Sequence, residues 1–181
     1  MSPNTDPAAP NPTKSRSLKG LPRIPFAPDF PAFRDAGQRL INLHLGYETS
    51  EPWTLAVTAP DDPADGSLYR IDSRMRWDRT RDSDRKLVDN RSVLHVDSRC
   101  RIEGIPDEAH LYEVNGRTPL DWAIDRLKVT TDKASGIVND PNLWHEWADQ
   151  PYILILHLQR LVRLSVETQR IVGGLPAALA D

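Results

Sequence analysis

The chain has 181 residues, of which 39% are hydrophobic and 27% are charged, a composition typical of one globular domain with its own core. The formal net charge of −3 argues against a free-standing protein that binds polyanions without specificity, although a specificity module can still carry its basic residues on one face. The single cysteine, Cys100, excludes an intramolecular disulfide and a cysteine-based zinc site, and no run of eighteen apolar residues predicts a membrane span.

The N-terminal region is rich in proline: eight of the sixteen prolines fall within the first 31 residues. Residues 1–20 have little to bury and are predicted to form a disordered tail, without the apolar stretch of a signal peptide. Residues Leu21–Phe30 alternate proline with apolar side chains, which predicts an extended strap packed on another surface. We place the domain at residues 21–176, followed by a short tail at 177–181. Together with the lone thiol, these features favour a cytoplasmic protein.

The first predicted helix starts at Pro31 after an Asp29 cap and ends near Gly46. Its apolar residues recur at helical spacing: Phe33, Ala36, Leu40, Leu43 and Tyr47.

The middle of the chain changes to the period of a strand. Apolar and charged residues alternate over Tyr69–Asp78, which predicts a strand with one charged face. The polar stretch Asp78–Lys86 then reads as a long loop or hairpin arm. Two short strands, Ser92–Val96 and Cys100–Ile105, are predicted next, joined by a turn at Asp97-Ser98.

The final third is helical. Thr118 caps a helix predicted to run to Val129, and Asp121 occupies the position at which a capping box places its acid. The longest helix is predicted over Pro151–Val172, buried nearly all round in its first half and stopped by Gly173-Gly174. The predicted fold class is therefore α+β, with a small, mainly antiparallel sheet packed against about three principal helices.

Two capped turns are predicted in the connector between these helices. Asp132 caps a single helical turn that Gly136 closes, and Asp140 caps a helix with Pro141 in its first position. The second turn contains Asn139-Asp140-Pro141-Asn142, which resembles the Asn/Asp-Pro-Pro-aromatic motif of DNA amino-methyltransferases. Asn142 replaces the second proline, however, and Leu143 takes the aromatic place. The structural interpretation is therefore favoured over the catalytic one.

Longer stretches resemble one known family. The segments YEVNGRTPLDWAIDRLKVTTDKASGIVNDPNLW (112–144), PYILILHLQRLVRLSVETQRIVGGLP (151–176) and RIPF with AFRDAGQRLINLHLGYE (within 23–48) resemble the C-terminal end of type ISP restriction-modification enzymes. In that family a single polypeptide carries a nuclease, an ATP-driven translocase, an adenine-N6 methyltransferase and a target-recognition domain. The resemblance implies a DNA-specificity module, or a remnant of one, that binds double-stranded DNA.

The same resemblance implies that catalysis resides elsewhere. A methyltransferase and translocase domain or subunit would supply it, using S-adenosylmethionine, ATP and Mg²⁺. This chain has no Gly-x-x-x-x-Gly-Lys-Ser/Thr loop to hold nucleotide phosphates, and its five histidines have no recognised metal-ligand spacing. Cys100 is interpreted as a packed thiol. We expect the chain to be neither an enzyme nor a cofactor-binding protein by itself.

Basic residues concentrate in one segment. Residues 69–104 hold ten Lys or Arg and seven Asp or Glu, a local balance of +3. Guanidinium groups on a strand and its following arm suit phosphate contact and guanine readout. The candidate DNA-binding residues are Arg70, Arg74 and Arg76 on one strand face, Arg79, Arg81, Arg85 and Lys86 on the arm, and Arg117 and Lys133 beyond it.

Two alternatives remain open at this point. The aspartates between the arginines can instead form a solvated salt-bridge network, and Arg117 in the turn Val114–Arg117 suits a structural ion pair. The whole chain can also be a structural or protein-interaction domain that docks on a methyltransferase without binding DNA itself.

Overall fold

A computed structural model describes residues 29–59, 69–147 and 150–176. The predictions for residues 1–20 and 177–181, and for the strap up to residue 28, lie outside the described residues. In chain order the described part contains α1 (Phe30–Gly46), β1 (Ala56–Thr58), β2 (Arg76–Arg81), β3 (Leu87–His95), β4 (Arg101–Glu103), α2 (Pro119–Arg126), β5 (Thr130–Thr131), β6 (Val138–Asn139) and α3 (Ile153–Gly173). This is the predicted α+β class.

The main sheet has the strand order β1-β4-β3-β2, and every pairing in it is antiparallel. Ile102 on β4 faces Leu94 on β3 and Val57 on β1. The turn predicted at Asp97-Ser98 joins β3 to β4. Asp97 Oδ1 stabilises it by accepting hydrogen bonds from the backbone N–H groups of Arg99 and Cys100, each at 2.6 Å. The strand pair of the sequence analysis is confirmed, and β3 begins five residues before the predicted Ser92.

One core joins the sheet to the helices. It contains Leu94 and Ile102 from the sheet, Leu120 from α2, and Leu158 and Val162 from α3. The long helix is confirmed, although α3 starts at Ile153 rather than at Pro151 and its burial is not concentrated in the first half. Its ten buried residues are spread along its length: Leu154, Ile155, Leu158, Leu161, Val162, Leu164, Ser165, Val166, Thr168 and Ile171. α3 is therefore the scaffold against which α1, α2 and the short helix Asp107–His110 pack.

The predicted helix caps are present. Asp29 accepts a hydrogen bond from Ala32 N at 3.1 Å, and Thr118 Oγ1 accepts one from Asp121 N at 3.2 Å. α2 ends at Arg126 rather than at Val129, because the residues after it pair with another part of the chain: Val129 N donates to Ser73 O at 2.7 Å.

The strand predicted over Tyr69–Asp78 is wrong in its bounds. β2 starts only at Arg76 and continues to Arg81, through half of the segment predicted as a loop or arm. The backbone before it bonds to a side chain instead: Asn142 Oδ1 accepts from Ile71 N and Asn142 Nδ2 donates to Ile71 O, both at 2.9 Å. Of the two alternatives for residues 78–86, the hairpin arm is the one that forms.

The connector between α2 and α3 contains both predicted turns. Asp132 Oδ1 accepts from Ala134 N and Ser135 N, and Gly136 ends the turn at φ +72°. The flanking residues pair as β5 and β6, a small hairpin that the sequence did not predict. Asp140 accepts from Asn142 N at 2.9 Å and caps the 3₁₀ helix Pro141–Leu143, as the structural interpretation of this motif required.

Candidate nucleic-acid interface

A two-stranded ribbon extends from the edge of the main sheet. β4 pairs with β3 only at residues 93–95, so the segments 78–81 and 87–90 pair with each other alone. We call residues Asp78–Asn90 the β2–β3 ribbon. Four of the candidate residues belong to it: Arg79, Arg81, Arg85 and Lys86.

The tip of the ribbon is a tightly bonded turn. Asp82 N donates to Lys86 O at 2.9 Å, and Arg85 N donates to Asp82 O at 3.0 Å. Asp82 Oδ1 also accepts from the backbone N–H groups of Asp84 and Lys86. Arg85 has φ +61°, in the left-handed region that this type of hairpin normally fills with glycine. The side chain of Arg85 is thus presented from a backbone position that disfavours side chains.

A break in register separates the ribbon from the sheet. Trp77 pairs with Leu94, but Asp78 pairs with Asn90, so three residues of β3 are extra at this point. Asn90 Oδ1 holds the break by accepting from Ser92 N at 3.2 Å and from Ser92 Oγ at 2.7 Å. Breaks of this kind re-aim the side chains on either side of them.

We call the end of the ribbon next to the main sheet, where Trp77 and Arg91 lie, its root. A network of polar contacts fixes this root to α2. Arg91 Nη2 lies 2.6 Å from Asp121 Oδ2, and its guanidinium stacks 5.0 Å from the centre of the Trp77 ring. Trp77 Nε1 donates to Asp121 Oδ1 at 3.0 Å, and Thr118 Oγ1 donates to Asp121 Oδ2 at 2.8 Å. Burial of Asp121 opposes its ionisation, but the hydrogen bonds from Arg91, Trp77 and Thr118 outweigh that effect and lower its pKa.

A cleft of about 600 Å³ lies beside the ribbon's root. It brings together Arg74, Arg76 and Arg79, with the register break between the second and the third. Arg79 is paired with Asp89 at 3.2 Å, and both side chains are more than half exposed. Neither Arg74 nor Arg76 forms an ion pair with any carboxylate that the structure describes.

The acidic side chains of the cleft have roles of their own. Asp97 binds the β3–β4 turn, and Asp89 pairs with Arg79. Asp72 accepts a hydrogen bond from Ser98 Oγ at 3.4 Å. Asp78 does not line the cleft but lies 3.0 Å from Nε2 of His95, which does, and the hydrogen bonds from His95 and Asn90 lower the pKa of the Asp78 carboxyl. The salt-bridge alternative thus holds for Arg79 but not for Arg74 and Arg76.

The structure separates the other candidate residues. Arg70 does not share a strand face with Arg74 and Arg76: it borders a second cleft, of about 420 Å³, beside Trp144 and Trp147. Arg81 Nη1 donates to the carbonyl oxygen of Arg85 at 2.9 Å and so braces the tip.

Two candidates lie away from the ribbon. Arg117 lies 3.4 Å from Asp125, the ion pair that its structural interpretation predicts, and its guanidinium also lies 5.1 Å from the centre of the Trp122 ring. It borders a third cleft with Arg74 and Lys128. Lys133 is exposed in the turn between β5 and β6.

Two basic residues that belong to the candidate interface or hold it in place were not predicted from the sequence. Arg91 was counted only as a basic residue, although its pair with Asp121, 30 residues away, anchors the ribbon. Lys128 was not considered, although it lies beside Arg74 and bonds Asp125 at 2.9 Å. The sequence held one sign of the Arg91 contact and none of the Lys128 contact. The capping position of Asp121 indicates that a carboxylate lies at the N-terminus of α2, where a basic side chain can pair with it.

Comparison with known proteins decides the family. The sequence model of the Type ISP C-terminal specificity domain matches residues 18–156. The chain belongs to this family. A search of curated proteins found no match.

Solved structures of larger proteins resemble this specificity domain over most of its length. A nuclease-deletion mutant of the Type ISP restriction-modification enzyme LlaGI, in complex with a DNA substrate mimic, is 30% identical with a TM-score of 0.69 over 89% of this chain. The ATP-dependent Type ISP enzyme LlaBIII bound to DNA is 27% identical, with 0.70 over 90%. The DrdV–DNA complex is 32% identical, with 0.62 over 88%. This chain spans 14%, 10% and 15% of those chains, respectively.

The described residues also bear on chemistry and on membranes. Within the ranges that the structure describes, no three His, Cys, Asp or Glu side chains are grouped to hold a metal ion. No helix in these ranges has the length and apolar character needed to cross a bilayer. Cys100 is buried, and burial raises the pKa of its thiol to about 11, so it is packed as predicted.

Proposed function

We propose that this chain recognises a sequence in double-stranded DNA as the specificity module of a Type ISP restriction-modification system. The observation that carries the proposal is its membership of the Type ISP specificity family, matched over residues 18–156. The three solved structures compared above are DNA complexes, which supports duplex DNA as the ligand.

The arrangement of basic side chains supports the same function. Arg74 and Arg76 border an open cleft, and the ribbon beside it carries Arg85 and Lys86 at an exposed tip. Guanidinium groups that are not already paired with carboxylates are available for phosphate oxygens or base edges. A cleft next to a projecting ribbon offers both kinds of contact within one face.

Catalysis is assigned to other domains or subunits. The chain spans 10–15% of the matched chains, which leaves most of their length for other functions. In this proposal a methyltransferase and translocase partner binds S-adenosylmethionine, ATP and Mg²⁺. The described residues of this chain do not fit those groups, since they include neither a metal-ligand cluster nor a phosphate-binding glycine loop.

The test is selection of DNA by the purified full-length chain. A randomised duplex library is bound at low salt, and enriched sequences are measured by fluorescence anisotropy against scrambled duplexes. We expect one enriched sequence, bound more tightly than scrambled DNA, with affinity that falls steeply as salt rises. The absence of any enriched sequence, both for the chain alone and for its complex with a methyltransferase subunit, would contradict the proposal.

A second function is favoured by the outer face of α1. Ile41 and Leu45, one turn apart on α1, are 54% and 82% exposed. An exposed apolar pair on a helix suits docking on another protein. The chain would then bind a methyltransferase without contacting DNA. Co-purification that is lost in Ile41→Lys/Leu45→Lys, from a chain that selects no DNA, would identify this function.

A further inference from the structure

The shape of the β2–β3 ribbon is that of an element able to enter a groove of DNA. Its four paired positions, from Asp78↔Asn90 to Arg81↔Leu87, have a single strand partner each. Such a ribbon extends about 13 Å, and its two strands lie about 5 Å apart. The major groove of B-DNA is about 12 Å wide and admits a two-stranded ribbon as it stands, whereas the minor groove, about 6 Å wide, must first be widened by deforming the DNA.

The charge of the ribbon is balanced rather than basic. It carries four basic residues, Arg79, Arg81, Arg85 and Lys86, and four acidic ones, Asp78, Asp82, Asp84 and Asp89. An element that only grips phosphates gains from an excess of positive charge. A balanced one is better suited to base edges, since arginine donates to guanine and aspartate accepts from cytosine. The composition therefore favours readout over electrostatic attraction.

Arg85 is the side chain best placed for such readout. It stands at the exposed tip, at φ +61°, where glycine would be free of strain. The turn beneath it is held by the two hydrogen bonds to Asp82 Oδ1 and by the bond from Arg81 to the Arg85 carbonyl. An arginine on a hydrogen-bonded turn, at a position that favours glycine, indicates a use for the side chain itself.

We propose that the β2–β3 ribbon inserts into the major groove of the target duplex, and that Arg85 reads a guanine there through its N7 and O6 atoms. This rests on the proposed function, because it assumes that the chain selects a DNA sequence. Beyond that function, it specifies which groove of the DNA is contacted, which element of the chain enters it and which base is recognised. Arg81 and Asp82 act as positioning residues that hold the turn.

The experiment uses the full-length chain, or its complex with a methyltransferase subunit, and the duplex that it selects. Arg85→Gly removes the guanidinium while giving the turn its preferred residue and leaving the carbonyl that accepts from Arg81. Arg85→Lys keeps the charge but loses the two-pronged donor. Arg39→Ala, which removes an exposed arginine from α1, is the matched control. Each protein is measured on the selected site and on all its single-base-pair variants.

We expect wild type and Arg39→Ala to lose about tenfold or more when one particular guanine is replaced. Arg85→Gly should bind that variant and the selected site equally, and Arg85→Lys should prefer the guanine less than wild type does. Replacing the guanine by 7-deazaguanine, which lacks N7, should weaken wild type but not Arg85→Gly. Inosine, which lacks only the minor-groove amino group, should leave wild type unchanged.

Several results would overturn the inference while leaving the proposed function standing. They are a selected site with no required guanine, sensitivity to inosine in place of 7-deazaguanine, and an equal weakening of Arg85→Gly on all sequences. Undiminished discrimination by Arg85→Gly would also overturn it and would indicate that the ribbon serves another contact, such as a protein. Failure of wild type to select any sequence overturns the proposed function, and this inference with it.

Discussion

The guanidinium of Arg91 lies 2.6 Å from the carboxylate of Asp121, and this pair links the root of the β2–β3 ribbon to the first turn of α2. Both side chains are partly shielded from water, with 39% and 26% of their surfaces exposed. Trp77 is part of the same network, since its indole donates to Asp121 and lies beneath Arg91. The orientation of the ribbon is therefore set by α2, a helix outside the ribbon.

Asp121→Ala should destabilise the fold. It leaves Arg91 without its carboxylate and removes the acceptor of Trp77 Nε1, so we expect a loss of about 1–3 kcal/mol in the free energy of unfolding. Urea denaturation followed by tryptophan fluorescence measures it. The matched control is Asp125→Ala on the same helix, whose ion pairs with Arg117 and Lys128 are on the surface and should contribute less. Equal losses in the two variants would show that the network is not the anchor.

The contribution of Asp121 should also depend on pH. Its pKa is lower in the folded chain than the usual carboxyl value, so its stabilising effect is complete above that usual value and is lost as the pH falls through the folded pKa. The difference in unfolding free energy between wild type and Asp121→Ala should therefore be constant from pH 7 to pH 5 and shrink below about pH 4. Urea titrations at four pH values give the curve. A difference that persists undiminished at pH 3 would contradict it.

Lys86→Ala and Lys133→Ala should each weaken DNA binding without changing sequence preference. Each removes one exposed ammonium group that can neutralise a phosphate, so the slope of log affinity against log salt should fall by about one in each variant. Anisotropy titrations at several salt concentrations measure the slope, with Arg39→Ala as the control. A slope that stays at the wild-type value would exclude that lysine from the interface.

Asp89→Asn should strengthen DNA binding. Asp89 pairs with Arg79 in the cleft, so its removal frees a guanidinium and takes one negative charge from the side proposed to contact DNA. Because both partners are more than half exposed, the fold should be little affected. Asp35→Asn on α1 makes the same change of net charge elsewhere and should have a smaller effect on affinity, since screening acts over about 10 Å. Equal gains in both variants would assign the effect to net charge alone.

Cys100 should react with a thiol reagent only after unfolding. Its side chain is 1% exposed, and burial raises the pKa of its thiol to about 11, so the native chain at pH 8 holds very little accessible thiolate. With a chromogenic disulfide reagent, the rise in absorbance should be slow in buffer. In urea it should be rapid and correspond to one thiol per chain. Immediate reaction of the native chain would show that the β3–β4 turn opens freely.

The features read correctly from the sequence are those determined by neighbouring residues. Asp29, Thr118 and Asp140 cap the helices that follow them because a short oxygen-bearing side chain satisfies the first free N–H groups of a helix. The apolar period of α3 gave its approximate extent. The turn at Asn115-Gly116 followed likewise from residues that accept positive φ.

The features read incorrectly depend on distant partners. Residues 69–75 alternate like a strand, yet Ile71 bonds to the Asn142 amide and Ser73 to Val129. The sequence predicted that Arg70, Arg74 and Arg76 share one strand face, whereas in the structure a register break follows Trp77 and the cleft groups Arg74 and Arg76 with Arg79. No local pattern encodes a register break or a side chain that takes the place of a strand partner.

The bond between Asn142 and Ile71 has a consequence for synthesis. The two residues are 71 positions apart, so at ordinary rates of translation Ile71 leaves the ribosome about 4–14 s before the amide that orders it. During that interval β2 and β3 can already form their hairpin, because its closing turn is local. The ribbon can therefore pair before its surroundings are ordered. Its orientation is fixed later, once α2 supplies Asp121 for Arg91 and Asn142 orders the backbone at Ile71.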